Sequence, residues 1–275
     1  MSRTPFLKLP RGFAGVSETQ LRPYSISKPC LNSNPAPPLH TSTPYNLRWF
    51  AELQGQLKQL RSEQYPPECM QKAQRLFQYS ETNWLELLAG REGFLTEKKW
   101  RALDSHQVFW GDMVSIIGHI NNVKYNRYVE TARVQFVRHH GEDATTKERR
   151  QWNDLPTPRN LGLILKSITT EFKFPMKFPD RITVLYKLVE PPTYDSTSLK
   201  MEAWILSEQH GRVAARCVDD TAIYDYASGK KSVLKAFMVD KLQQTFELQE
   251  ACKKKYTEEA NRAITAVEEL KRAFQ

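Results

Sequence analysis

No apolar run in the sequence approaches the ~20 residues that a membrane-spanning helix needs, so no helical membrane span is expected. Cysteine is scarce and scattered. Cys30, Cys69, Cys217 and Cys252 form no CxxC or CxxH pair, which argues against a disulfide scaffold and against a cysteine zinc site. An excess of one charge is also missing where a folded core would lie. The formal charge is +9, but residues 46–228 carry only +2 of it, against +4 in residues 1–45 and +3 in residues 229–275. No stretch interleaves arginines with aromatics as a nucleic-acid groove would, so the basic total is a weak argument for nucleic acid, and DNA is not expected as a partner. What is present is enough for a packed core: 40% apolar and 26% charged residues in a chain of 275, room for one large domain or two small ones.

The first 45 residues stand apart. They hold eight of the sixteen prolines, many serines and threonines, five basic groups and a single acid, Glu18. Such a segment cannot bury enough apolar surface to pack. An arginine-bearing, serine-rich, acid-poor N-terminus is the pattern of an organelle transit peptide, which points to the mitochondrial matrix.

After it, apolar residues recur at three- and four-residue spacing (Leu47, Phe50, Leu53, Leu57, Leu60), which predicts a helix over 46–64. Pro66 and Pro67 break it, and Pro67 is placed to open a second helix running to residue 89, ended by Gly90 and Gly93. This helical extension is assigned 46–104. A short strand is expected at His106–Asp112, then a helix from Val123 to His139 with Tyr125, Val129, Ala132 and Phe136 in one stripe, widened by Tyr128. A loop with Pro156 and Pro158 follows. Strands are then expected at Leu161–Phe174, Arg181–Val189, Leu199–Leu206 and Arg212–Tyr226, with a hairpin turn at Gln209-His210-Gly211. Residues 232–275 return to helix. One long helix against an antiparallel sheet is an α+β architecture, with domain limits set at 105–240 and a C-terminal helix at 241–275.

The stretch WGDMVSIIGHINNVKYNRYVETARVQFV, residues 110–137, resembles the hotdog-fold thioesterase superfamily, in particular its 4-hydroxybenzoyl-CoA thioesterase-like branch. That branch reads W-x-D-x-D-x-x-G-H-V-N-N-x-x-Y-x-x-Y-x-E-x-A-R. This chain supplies Trp110, Asp112, Gly118, His119, Asn121, Asn122, Tyr125, Tyr128, Glu130, Ala132 and Arg133. FKFPMKFPDRITV extends the resemblance downstream, to about residues 105–240. GREGFLTEKKWRALDSHQVFWGDM is similar to mitochondrial hotdog proteins of fungi.

The resemblance implies a hotdog fold, an antiparallel sheet wrapped around one central helix. It further implies a homodimer or higher homo-oligomer acting on an acyl-CoA or acyl carrier protein thioester, with water as co-substrate and no metal or other cofactor. Backbone N–H groups at the start of the helix would polarise the carbonyl. Gly118 would permit close approach, Asn121 or Asn122 would cap the helix, and Tyr125 would lie on the substrate side. One departure bears on the chemistry. The branch's catalytic aspartate falls on Val114 counting from Trp110 and on Ser115 counting from Gly118, because one extra residue separates the motif halves. The candidate catalytic groups left are Asp112, His119 and Glu130. Glu130 is also spaced to pair with Arg133 along the helix. The missing carboxylate and the helical additions leave a second reading open: a non-catalytic hotdog scaffold in a mitochondrial assembly such as the ribosome.

Overall fold

The computed structural model describes residues 48–114 and 118–274; the segment 1–45, where a transit peptide is expected, Leu47 and Ser115 lie outside the described residues. Three N-terminal helices come first: α1 (Trp49–Leu60), α2 (Pro67–Thr82, with Pro67 in its first turn) and the short α3 (Trp84–Leu88). The extension thus has one break more than its periodicity implies, at Asn83. Gly93 closes it in the left-handed region, φ 89°.

The sheet is built from β1 (Arg101–Gln107), β4 (Leu161–Phe172), β5 (Arg181–Leu188), β6 (Ser198–Ser207) and β7 (Arg212–Asp225), in the order β1-β5-β6-β7-β4 and antiparallel throughout. The two-residue β8 (Lys230–Lys231) adds to β7. A separate small hairpin pairs β2 (Met113–Val114) with β3 (His119–Ile120). The long helix α4 (Asn122–His139) follows it, then α5 (Thr146–Asp154), and α6 (Ala236–Phe274) ends the described chain.

Alternation along the strands decides the core. Ile182, Val184, Tyr186 and Leu188 of β5 and Leu199, Met201, Ala203 and Ile205 of β6 face α4, whose stripe Tyr125, Val129, Ala132 and Phe136 is buried against them. The opposite face is covered as well. Leu185, Trp204 and Leu206 pack under Phe50 of α1, Leu85, Leu87 and Leu88 of α3, Phe94, and Ala260 of α6. A third cluster joins Leu53, Leu57 and Leu60 of α1, Ala73 and Phe77 of α2, and Ala263, Val267 and Leu270 of α6. The 39 residues of α6 span about 58 Å at 1.5 Å per residue, enough to serve both clusters. On its way α6 closes an open stretch of strand. β1 pairs with β5 only as far as Leu185, and beyond it the Gln249 side chain accepts from the Leu188 N–H and donates to the Leu188 carbonyl, both at 3.0 Å.

Three boundaries differ from the sequence reading. The first strand is Arg101–Gln107 rather than His106–Asp112, because its partner runs out. Gln107 pairs with Arg181, the first residue of β5, and the next residues turn into a 3-10 helix at Trp110–Asp112. The sheet therefore begins inside the stretch assigned to the helical extension. The C-terminal helix crosses residues 240–241 without a break. The loop after α4 contains α5, nucleated by a capping box: Thr145 Oγ1 accepts from the Glu148 N–H, and Glu148 accepts from the Thr145 N–H.

Candidate functional site

The residues singled out by the motif converge on the start of α4. Asn121 is its N-cap, and its side-chain oxygen accepts from the Val123 N–H at 3.0 Å. The Lys124 N–H is taken by the Asn121 carbonyl and the Asn121 N–H by the Asp112 carbonyl, each at 2.9 Å. The Ile120 N–H goes to Met176 O. These bonds use up the donors around the turn except one: the N–H of Asn122, the first helical residue, has no partner among the described residues. Both Asn121 and Asn122 are exposed residues, and this N–H stands at the positive end of the helix dipole. Gly118 leads into the turn at φ 68°, a conformation that L side chains rarely adopt, and donates to Val114 O at 3.0 Å.

His119 lies half-buried on β3, three residues before Asn122. Its Nδ1 faces the Ile120 carbonyl at 3.2 Å. In the tautomer that donates this bond, Nε2 carries the lone pair and is a base. Asp112 is buried. One oxygen meets the Lys124 ammonium at 2.6 Å; the other accepts from the Tyr128 hydroxyl at 2.9 Å and the Phe109 N–H at 3.2 Å. Burial opposes its charge, but the Lys124, Phe109 and Tyr128 donors together hold the carboxyl below the usual aspartate range. Tyr128 answers in the opposite sense: burial, then the Asp112 charge, pushes its phenol well up. Asp112 is therefore a neutralised, weakly basic anchor.

Glu130 stands elsewhere. It is exposed on the outward side of α4, in a shallow depression of about 360 Å³ lined with Arg127, Thr131, Val134, Gln135 and Arg138. Eight residues from Asn122, it is about 12 Å along the helix from the Asn122 N–H. The expected Glu130–Arg133 pair does not form. Arg133 turns inward to Asp219 of β7, 3.7 Å away, where Tyr186 and Thr221 also donate to the carboxylate. Burial still pushes the Asp219 carboxyl up, so the buried charge draws the arginine away from the solvent-exposed glutamate. Tyr125 is buried, its oxygen accepting from the Met176 N–H at 3.3 Å and its ring edge-on to Phe172.

Sequence reasoning missed Lys124 as the partner of Asp112 and Asp219 as the partner of Arg133. A signal for the second exists: Asp219 falls on the inward parity of a strand whose neighbours Cys217 and Ile223 are core. Also unanticipated is a group of exposed aromatics beside the site, Phe109, Trp110 (72% exposed) and Phe178, the last two edge to face at 6.0 Å. Among the described residues there is no group of three or more His, Cys, Asp or Glu that could hold a metal. His139 pairs with Glu142, while His140 is buried between Phe136 O and Thr245.

A five-stranded antiparallel sheet with one long helix packed along its face, entered through a Gly-His turn, is a hotdog domain. Residues 108–245 match the family described as the Thioesterase-like superfamily, and the chain belongs to it. No curated protein matches the chain. Similar solved structures include a thioesterase from Thermus thermophilus complexed with coenzyme A and zinc, at 17% identity over 54% of this chain and 97% of that one, TM-score 0.41. Others are a probable thioesterase from Escherichia coli, at 20% identity over 52% and 97%, TM-score 0.41, and a DHNA-CoA thioesterase from Staphylococcus aureus, at 12% identity over 55% and 92%, TM-score 0.41.

Proposed function

We propose that the protein is a mitochondrial acyl-thioester hydrolase of the 4-hydroxybenzoyl-CoA thioesterase-like branch, of the type found in fungi, acting on acyl-CoA or an acyl carrier protein thioester. The observation that carries this reading is the placement, within four residues at the head of the helix packed along the sheet, of the Asn122 N–H, which has no partner among the described residues, and of the His119 imidazole, a base in the tautomer that donates to Ile120 O. The thioester carbonyl oxygen accepts from the Asn122 N–H, which stabilises the oxyanion as it develops. His119 Nε2 takes a proton from water while the water oxygen bonds to the carbonyl carbon. The tetrahedral intermediate then expels the thiolate; the C–S bond breaks, His119 returns the proton to sulfur, and a carboxylic acid and a thiol leave. No carboxylate is required, in keeping with Val114 or Ser115 at the position of the branch's aspartate and with the ion-paired state of Asp112.

A homodimer is supported by β4, a sheet-edge strand of twelve residues with Ile164, Leu165 and Phe172 exposed along it. The mitochondrial address rests on the composition of residues 1–45. The test is turnover by the purified full-length protein of short, medium and long acyl-CoAs, with His119→Gln as control. Hydrolysis lost in that variant is expected, and no turnover above background overturns the reading. One observation favours the second reading, a binding scaffold in a mitochondrial ribonucleoprotein: no free carboxylate stands at the head of α4 among the described residues. Co-sedimentation with organelle ribosomes, lost at high salt, together with absent turnover would establish it.

A further inference from the structure

Asp112 is one of the three candidate catalytic groups, with His119 and Glu130, yet its bonds describe a brace. Its carboxylate holds three groups from three places: the Phe109 N–H at the start of the 3-10 turn, the Lys124 ammonium from the first turn of α4, and the Tyr128 hydroxyl from the second. Its own carbonyl accepts from the N–H of Asn121, the helix cap. Four bonds from one residue thus lock the strand-to-helix turn onto the first two turns of the helix, and the Asn122 N–H, without a partner among the described residues, lies inside that lock. A lysine in the first turn of a helix is disfavoured by the dipole, and here it is held in place by the aspartate charge 2.6 Å away. The Tyr128 phenol, buried and raised, stays a donor across the working pH range.

From this geometry we infer that Asp112 is a positioning residue: with Lys124 and Tyr128 it fixes the direction in which the Asn122 N–H points, and it does not itself move a proton. The inference rests on the reading of the α4 terminus as the thioester site and adds to it the device that aims the donor. An oxyanion donor works only when it meets the oxygen of the intermediate rather than that of the substrate, so a small loss of alignment lowers kcat and leaves KM nearly unchanged.

The experiment compares Asp112→Asn, Tyr128→Phe, the double variant and His119→Gln in the full-length protein. Asp112→Asn is expected to lower kcat between about 10- and 100-fold with KM within about two-fold, while the acid limb of its pH profile stays where it is in the wild type. The limb disappears only in His119→Gln. Tyr128→Phe removes one leg of the brace, so the double variant falls no further than Asp112→Asn alone. Amide hydrogen exchange supplies a readout that needs no turnover: Asn121 and Val123 exchange faster in Asp112→Asn, and Ala132–Val137 are unchanged. An acid limb lost in Asp112→Asn makes Asp112 the base and overturns the inference, as does exchange unchanged at Asn121 and Val123. If the wild type hydrolyses no acyl thioester, the functional reading fails and the exchange measurement alone decides the brace.

Discussion

Acid should weaken this fold through one residue, His140. The imidazole is sealed where α4, α5 and α6 meet, stacked on Trp152 at 5.2 Å and edge-on to Phe136. Nδ1 lies 2.8 Å from Phe136 O and Nε2 3.1 Å from Thr245 Oγ1. Burial pushes its pKa down to about 4, against an ordinary 6.5 in the unfolded chain. The sign follows from linkage. Above pH 6.5 both states are neutral and the group contributes no pH dependence. Below it the unfolded state takes up the proton first, so stability falls as pH drops from 6.5 towards 4. A shift of about 2.5 units is worth about 3.4 kcal/mol in full, of which about 2.5 kcal/mol is already lost at pH 4.5. For a folded unit of this size that is about 5 to 10 °C in Tm. Carboxylates titrate over the same range, so the measurement is a difference. The fall in Tm from pH 7 to pH 4.5 is recorded for the wild type and for His140→Gln, which keeps a polar side chain but cannot titrate. The variant starts lower and falls less. Equal falls in the two proteins would refute the reasoning.

Other consequences can be checked with single substitutions. Gln249→Ala strips the buried Leu188 N–H and C=O of their partner and should cost about 2 to 4 kcal/mol in urea unfolding, with faster exchange at Leu188. Arg133→Met leaves Asp219 buried with its charge uncompensated, a loss of about 3 to 5 kcal/mol, and adding Asp219→Asn should recover part of it; a double variant as unstable as the single one would contradict the pairing. Gly118→Ala forces a side chain into the left-handed region at about 1 to 2 kcal/mol, and turnover should fall by more than the fraction unfolded explains.

Periodicity made much of this structure legible. The stripe from Tyr125 to Phe136 located α4 to within one residue, alternation located β5 and β6, and the hairpin turn before it placed β7. A cap at Asn121 or Asn122 was readable because the residue type and its place before an apolar stripe suffice, and the structure puts it on Asn121. Contacts that depend on two distant segments were not readable. Nothing local marks Gln249 as the closure of β5, since its partner is 61 residues away in sequence. Glu130 and Arg133 have the spacing of a helical pair, but spacing cannot register a competing carboxylate on β7. The strand at His106–Asp112 was misplaced for a similar reason: where β1 stops is set by where β5 starts. α5 was overlooked although Thr145 and Glu148 spell its capping box. Burial of both sheet faces escaped the alternation reading of β5 and β6, although ITVLYKL and MEAWIL are nearly continuous apolar runs, the signal of strands covered on both faces.

The reach of α6 has a consequence for the order of events during folding. α1 and α2 bury Leu53, Leu57 and Phe77 against Ala263, Val267 and Leu270, about 190 to 210 residues later in the chain. The outer face of β5 and β6 likewise waits for Ala260, and the end of β5 for Gln249. A chain emerging from its N-terminus can fold α4 onto the sheet while its first helices remain without their partner. α6, synthesised after all of these elements, then acts as a clasp, and loop closure over that distance delays this step. Until the clasp shuts, the apolar outer face and the open end of β5 are surfaces on which other nascent chains, or a chaperone, can settle.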